Sequence, residues 1–235
     1  MVSIDTVYQR VLAILNKENR GYLTPQEFNL MANQAQLEIF EQYFYDLNQF
    51  SRMGENDSEY ANIVDNIEEK IDIFQENIEL DIIENYSTLP DNVYRIGTIS
   101  NDNIAFDYVT KKEKNDILRS PLINLDSTTS YKDSNETEPI GIYCKSGKDI
   151  IVYPGVDTVV CDYIRKPDVV NWAYTNVLNT ALYNSTNSVD FELHQSEEPS
   201  LVIKVLTYAG ISIKATEITQ VAESKDTKTT TEEKS

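Results

Sequence analysis

NIVDNIEEKIDIFQENIELDI, residues 62–82, changes its hydrophobic period part-way along, and that change decides the fold class. Ile63, Ile67 and Ile71 recur at every fourth residue, the spacing of one face of a helix. From Ile71 the apolar side chains alternate instead. Ile71 and Ile73, then Ile78, Leu80 and Ile82, are interleaved with acidic or amide residues in the manner of a half-buried hairpin turning at QEN. A helical part therefore hands over to a β part here, and the chain is expected to be α+β.

Upstream, Val2 to Asn16 places Ile4, Val7, Tyr8, Val11, Leu12 and Leu15 at helical spacing and ends in the polar turn NKENRG. The next helix, 25–50, carries two apolar stripes. Phe28, Ala32, Ala35, Ile39, Tyr43 and Phe50 fall on one side; Leu30, Leu37, Phe40, Phe44 and Leu47 fall roughly opposite. A helix apolar on two faces must be covered on both, either by a bundle within the chain or by a neighbouring subunit. The second stripe is thus a candidate oligomer interface.

NKENRGYLTPQEF, residues 16–28, links these helices and admits two readings. Aligned on Gly21, it has half the pattern of an EF-hand calcium loop, with Asn16, Glu18, Tyr22 and Glu27 as the ligand set, but Arg20 stands where an oxygen belongs and no second loop follows. In the other reading Gly21 ends one helix, Thr24 caps the next, Pro25 takes its first position and Glu27 completes a capping box.

Downstream, VYRIGTIS, NIAFDYV, GIYCK, DIIVYP and TVVCDYIRKP read as short strands, with KKEKNDILRS as a small helix. LDSTTSYKDSNETEP, residues 125–139, is a polar excursion or a partner-binding loop. After Trp172 the pattern is ambiguous until a last helix, where Ser196 caps, Pro199 lies in the first turn, Leu201, Val202, Val205, Leu206 and Ala209 form the stripe, and Gly210 terminates. ESKDTKTTTEEKS has nothing to bury and should be disordered in isolation. The expected organisation is an N-terminal antiparallel helical bundle over 1–70, an antiparallel β-rich region over 71–167, a C-terminal helical region over 168–217 packing on the bundle, and a flexible tail over 218–235.

The 235 residues hold 39 acidic and 20 basic side chains, a net charge of -19. That balance argues against a surface gripping nucleic acid, which needs clustered Lys and Arg. Much of the acidity lies in 41–90, where Arg52 and Lys70 are the only bases. Glu68, Glu69 and Asp72 in that stretch belong to a solvated acidic face or to an acidic channel. Asn is abundant, so much of the exposed surface is expected to be neutral and polar. The start, MVSIDTVYQR, lacks the features of a secretory signal, and no run of about 18 apolar residues occurs, so a cytoplasmic origin away from membranes is expected.

Catalysis has no positive support. His194 is the only histidine and is best read as a surface or packing residue. No glycine-rich phosphate loop is present, and Asp162 and Arg165 face opposite sides of their expected strand. Cys144 and Cys161 lack metal spacing; they are buried thiols, or a pair if adjacent strands bring them together. No cofactor is expected.

Three stretches carry a resemblance: TLPDNVYRIGTI, VYPGVDTVVCDYIRKPDVVNW and DFELHQSEEPSLVIKVLTYAGISI. With the opening helices VYQRVLAILNKENRGYLTPQEFNLMANQAQLEIFEQYF, the chain resembles the head-to-tail adaptor (ring, or connector) proteins of short-tailed and crAss-like bacteriophages over roughly residues 4 to 218. The resemblance implies a non-enzymatic virion protein of the neck and tail, closed into a homo-oligomeric ring, a dodecamer in that family. Its implied partners are the portal protein and neighbouring tail or ring proteins, with DNA passing through without specific binding. Glu68, Glu69 and Asp72 would then be candidates for an acidic lumen, and a disordered tail suits a segment that orders on docking.

Overall fold

A computed structural model describes residues 1–17, 23–52, 58–101, 104–120, 140–178 and 180–212, together with 224, 225 and 228. The polar stretch 125–139 and nearly all of the expected tail lie outside the described residues. The fold is α+β and divides into two compact units, Met1–Ile73 with Pro167–Ser235, and Phe74–Lys166.

The first unit contains helices α1 (Ile4–Lys17), α2 (Pro25–Arg52) and α3 (Ser58–Asp72). In α1 the buried residues Ile4, Val7, Tyr8, Val11 and Leu15 form the expected stripe. Thr24 and Glu27 close the capping box of α2: the Thr24 amide and hydroxyl donate to Glu27 Oε2 at 3.0 and 2.7 Å, and the Glu27 amide donates to Thr24 Oγ1 at 3.3 Å. Ile67 and Ile71 are buried on one face of α3, which carries the helix on to Asp72. Ile71 therefore belongs to the helix, and no hairpin turns at QEN.

Past Trp172 the unit forms a two-stranded hairpin, β8 (Tyr174–Val177) with β9 (Thr180–Tyr183), where the sequence pattern is ambiguous. A 3-10 turn (Gln195–Glu197) leads into α5 (Glu198–Ser212), which packs against α1 and α2. Two boundary expectations are corrected here. His194, not Ser196, caps the 3-10 turn, its Nδ1 accepting from the Ser196 amide at 3.3 Å. Gly210 is buried inside α5 and does not end it; the helix runs on to Ser212.

The second unit is a seven-stranded sheet in the order β1-β7-β3-β4-β5-β6-β2. Its strands are β1 (Gln75–Asp81), β2 (Tyr86–Thr88), β3 (Val93–Asn101), β4 (Ile104–Tyr108), β5 (Ile140–Ser146), β6 (Asp149–Tyr153) and β7 (Thr158–Arg165). All pairs are antiparallel except β4 with β5, which departs from the expected all-antiparallel region. A parallel pair needs a long crossover, and α4 (Lys111–Arg119) lies within it.

The terminal strands β1 and β2 are joined by a tight turn. Ile83 and Tyr86 exchange two backbone hydrogen bonds of 2.9 Å, while Glu84 and Asn85 both have positive φ, 52° and 69°. That is the two-residue hairpin turn in which both central residues are left-handed. A flat seven-stranded sheet would hold its outer strands about 29 Å apart at about 4.8 Å per step. The link from Asp81 to Tyr86 spans about 18 Å at most. The sheet must therefore curl, and Leu80, Ile99, Phe106, Tyr143, Val152 and Cys161, drawn from six strands, share one buried core. Register shifts in β3 accommodate the bend, and at Gly97, within the second of them, a Cβ would stand 3.0 Å from the Asp162 carbonyl oxygen.

Candidate interaction surface

Three amide side chains on α2 reach the extended segment before the β8–β9 hairpin. Asn29 accepts from the Trp172 amide at 2.8 Å and donates to its carbonyl at 3.3 Å. Asn33 accepts from the Val170 amide at 2.9 Å and donates to its carbonyl at 2.9 Å. Gln36 donates to the Asp168 carbonyl at 2.8 Å and accepts from the Glu192 amide at 3.2 Å. The helical spacing 29, 33, 36 thus meets the strand spacing 172, 170, 168, and α2 supplies what a neighbouring strand would. Glu192 completes the arrangement by accepting from the Asp168 amide at 2.8 Å. Asn in this chain therefore does more than wet the surface: Asn33 is half-buried, and Gln36 beside it is buried.

The hairpin is rooted on Trp172, which is itself buried. Tyr174 and Tyr183 are cross-strand partners, and their rings stack on the indole at centroid distances of 5.9 and 5.6 Å. Trp172 Nε1 donates to Asp5 Oδ1 at 2.9 Å, and the Tyr8 ring lies tilted against the indole at a centroid distance of 4.5 Å. Beyond this anchor the hairpin is exposed. Val177 is 45% exposed, Leu182 51% and Leu178 96%, and Leu178 has φ 50°. A left-handed leucine offering its whole side chain to water is costly on both counts.

The candidate oligomer interface on α2 divides. Leu30 is 74% exposed and Leu37 39%, and they lie one heptad apart on one face. Phe40 and Phe44 are buried, their rings packed edge-on at 5.1 Å, and Leu47 is half-buried, so the expectation that all five face a partner is corrected. The reason is local. Lys204 Nζ on α5 lies 3.0 Å from Glu38, Tyr208 also donates to Glu38, and Lys70 on α3 sits over the Tyr43 ring. Two helices thus flank α2 at residues 38–43, whereas Leu30 and Leu37 precede that region.

Glu68, Glu69 and Asp72 are all exposed on α3, with Asp65 on the same side. Lys70 turns away to Glu197 at 2.7 Å. Of the calcium-loop residues, Asn16 is exposed in the last turn of α1, Glu27 is engaged in the capping box, and Glu18 and Tyr22 lie outside the described residues. No group of three or more His, Cys, Asp or Glu among the described residues is placed to hold a metal ion.

Cys144 on β5 and Cys161 on β7 are buried free thiols, separated in the sheet by β4 and β3. Burial, with Asp162 adding to it, pushes the Cys161 thiol up to about 11. Asp162 accepts from Thr98 Oγ1 at 2.5 Å and Arg165 pairs with Glu76 at 2.9 Å, so the two charged groups of β7 are engaged separately.

No helix among the described residues is long and apolar enough to cross a membrane. No family model matches the chain, and no curated protein matches it.

Proposed function

We propose that this chain is a structural subunit of a phage particle, closing with copies of itself into a connector ring between portal and tail around the DNA channel. The reading rests on the resemblance of the sequence to the adaptor proteins. The observation that carries it is an uncharged aliphatic surface, Leu30 and Leu37 on α2 and Leu178 on the hairpin, left open on a subunit of net charge -19. Monomeric proteins leave isolated leucines exposed, but a left-handed tip leucine and a heptad-spaced pair are better accounted for by contact with another subunit. The hairpin and the α2 stripe are two different patches of one subunit, and unlike patches that meet head to tail close into rings when the rotation per subunit permits.

The exposed carboxylates Glu68, Glu69 and Asp72 suit a conduit, because like charge keeps DNA from adhering to a wall. No chemical step is assigned to any residue. Electron microscopy of the particle neck, or of the chain coexpressed with its portal, tests the role. A ring of this subunit beneath the portal is expected, and its absence from the neck overturns the reading. Replacing Glu68, Glu69 and Asp72 together by Lys is expected to slow DNA ejection, and unchanged ejection would assign that face to the outside of the ring.

A further inference from the structure

We propose that the β8–β9 hairpin is an intermolecular arm, and that its exposed aliphatic side chains, Leu178 and Val177 at the turn and Leu182 nearer the base on the same face as Val177, seat on the Leu30–Leu37 stripe of α2 in a second copy of this chain. The occupant is a second copy because the chain carries both halves of a matched pair. From Val169 to Val189 there is no charged side chain, the longest such stretch in a sequence that is 25% charged. Phe28 to Leu37 is likewise uncharged. Copies of a body at net charge -19 repel one another, and they can pack closely only where neither surface adds to that charge.

A nucleic acid or an anionic membrane would call for Lys or Arg at the tip, and a basic partner would be drawn to the acidic faces instead. The arm and the stripe do not cover one another within a chain, since Leu178 is 96% exposed and Leu30 74%. The arm is also held for the task. Tyr174 and Tyr183 clamp its base to Trp172, and Asn29, Asn33 and Gln36 fix the strand that leads into it, so little ordering remains to be done on contact.

The contact deepens the ring-forming role proposed above and rests on it. Three side chains bury far less than the roughly 1,200 Å² of a stable complex, so each contact alone is weak and ring closure must add the rest. Covalent capture is therefore the suitable test. A photoreactive benzoylphenylalanine replaces Leu178 in the full chain, which is irradiated over a range of concentrations, and the adducts are mapped by mass spectrometry. The expected result is an adduct between two chains on the α2 peptide containing Leu30 and Leu37. It should be lost when the second copy carries Leu30→Asp with Leu37→Asp, both at exposed positions, while the thermal midpoint stays unchanged. Adducts confined to one chain, no adduct, or an adduct that survives the aspartates overturns the contact. An adduct elsewhere on a second copy overturns this contact and leaves the ring standing. Absence of the chain from the particle neck removes the ring itself.

Discussion

Asn33 on α2 holds Val170 by both of its backbone groups, accepting from the amide and donating to the carbonyl, each at 2.9 Å. Val170 is buried, so no water stands ready to replace the side-chain amide. Asn33→Ala is expected to lower the unfolding free energy by about 2 kcal/mol, the cost of leaving a buried backbone pair unpartnered. Urea denaturation measures the loss, and limited proteolysis between 168 and 190 should become faster.

Lys70→Ala should destabilise the first unit more. The carboxylate of Glu197 is only 8% exposed and depends on Lys70 at 2.7 Å. Removing one member of a buried pair leaves the other charge uncompensated, at about 3 kcal/mol. Adding Glu197→Gln should recover part of that loss, and a double-mutant cycle by urea denaturation reads the coupling.

Acid should weaken the contact between α2 and α5. Burial pushes the Glu38 carboxyl up, but hydrogen bonds from Tyr208 and Lys204 outweigh it, leaving the carboxyl below its ordinary value of 4.5. A carboxyl depressed on folding contributes stability above its unfolded pKa and loses it as pH falls through the folded value. The thermal midpoint is expected to drop as pH falls below 4.5, and Glu38→Gln should show a shallower drop than the unaltered chain.

Thiol labelling should separate the folded from the unfolded chain. Cys144 and Cys161 are buried, and Cys161 titrates near 11, so almost none of it is thiolate at neutral pH. Ellman's reagent at pH 8 is expected to react slowly with the native protein and to find two thiols once it is unfolded. Rapid reaction of the native protein would contradict the burial.

Local signals in the sequence carried some elements well. The stripe of α1, the Thr24–Glu27 box and most strand positions are readable because each depends on residues a few positions apart. The turn between β1 and β2 was harder to place. Glu76–Asn77 and Glu84–Asn85 are the same dipeptide, and only the pairing of Gln75–Asp81 with β7 assigns the turn to the second. The exposure of the second α2 stripe was legible in part. Leu30 and Leu37 are open as the stripe implies, whereas whether Phe40 and Phe44 are covered depends on where α3 and α5 lie. The β8–β9 hairpin has no clear period in the sequence, and its one local mark is the uncharged run from Val169 to Val189.

By itself the sequence determined the α+β class, the handover from helical to alternating periodicity, which it put at Ile71 where the helix in fact runs to Asp72, and the acidic, histidine-poor character of the chain, because periodicity and charge are properties of neighbours along the chain. Only the tertiary structure decided that Asn29, Asn33 and Gln36 serve as a surrogate strand, that the sheet curls through the Glu84–Asn85 turn, and which leucines remain open. Each of those depends on residues far apart in sequence, where a backbone amide takes whichever partner the fold brings within reach.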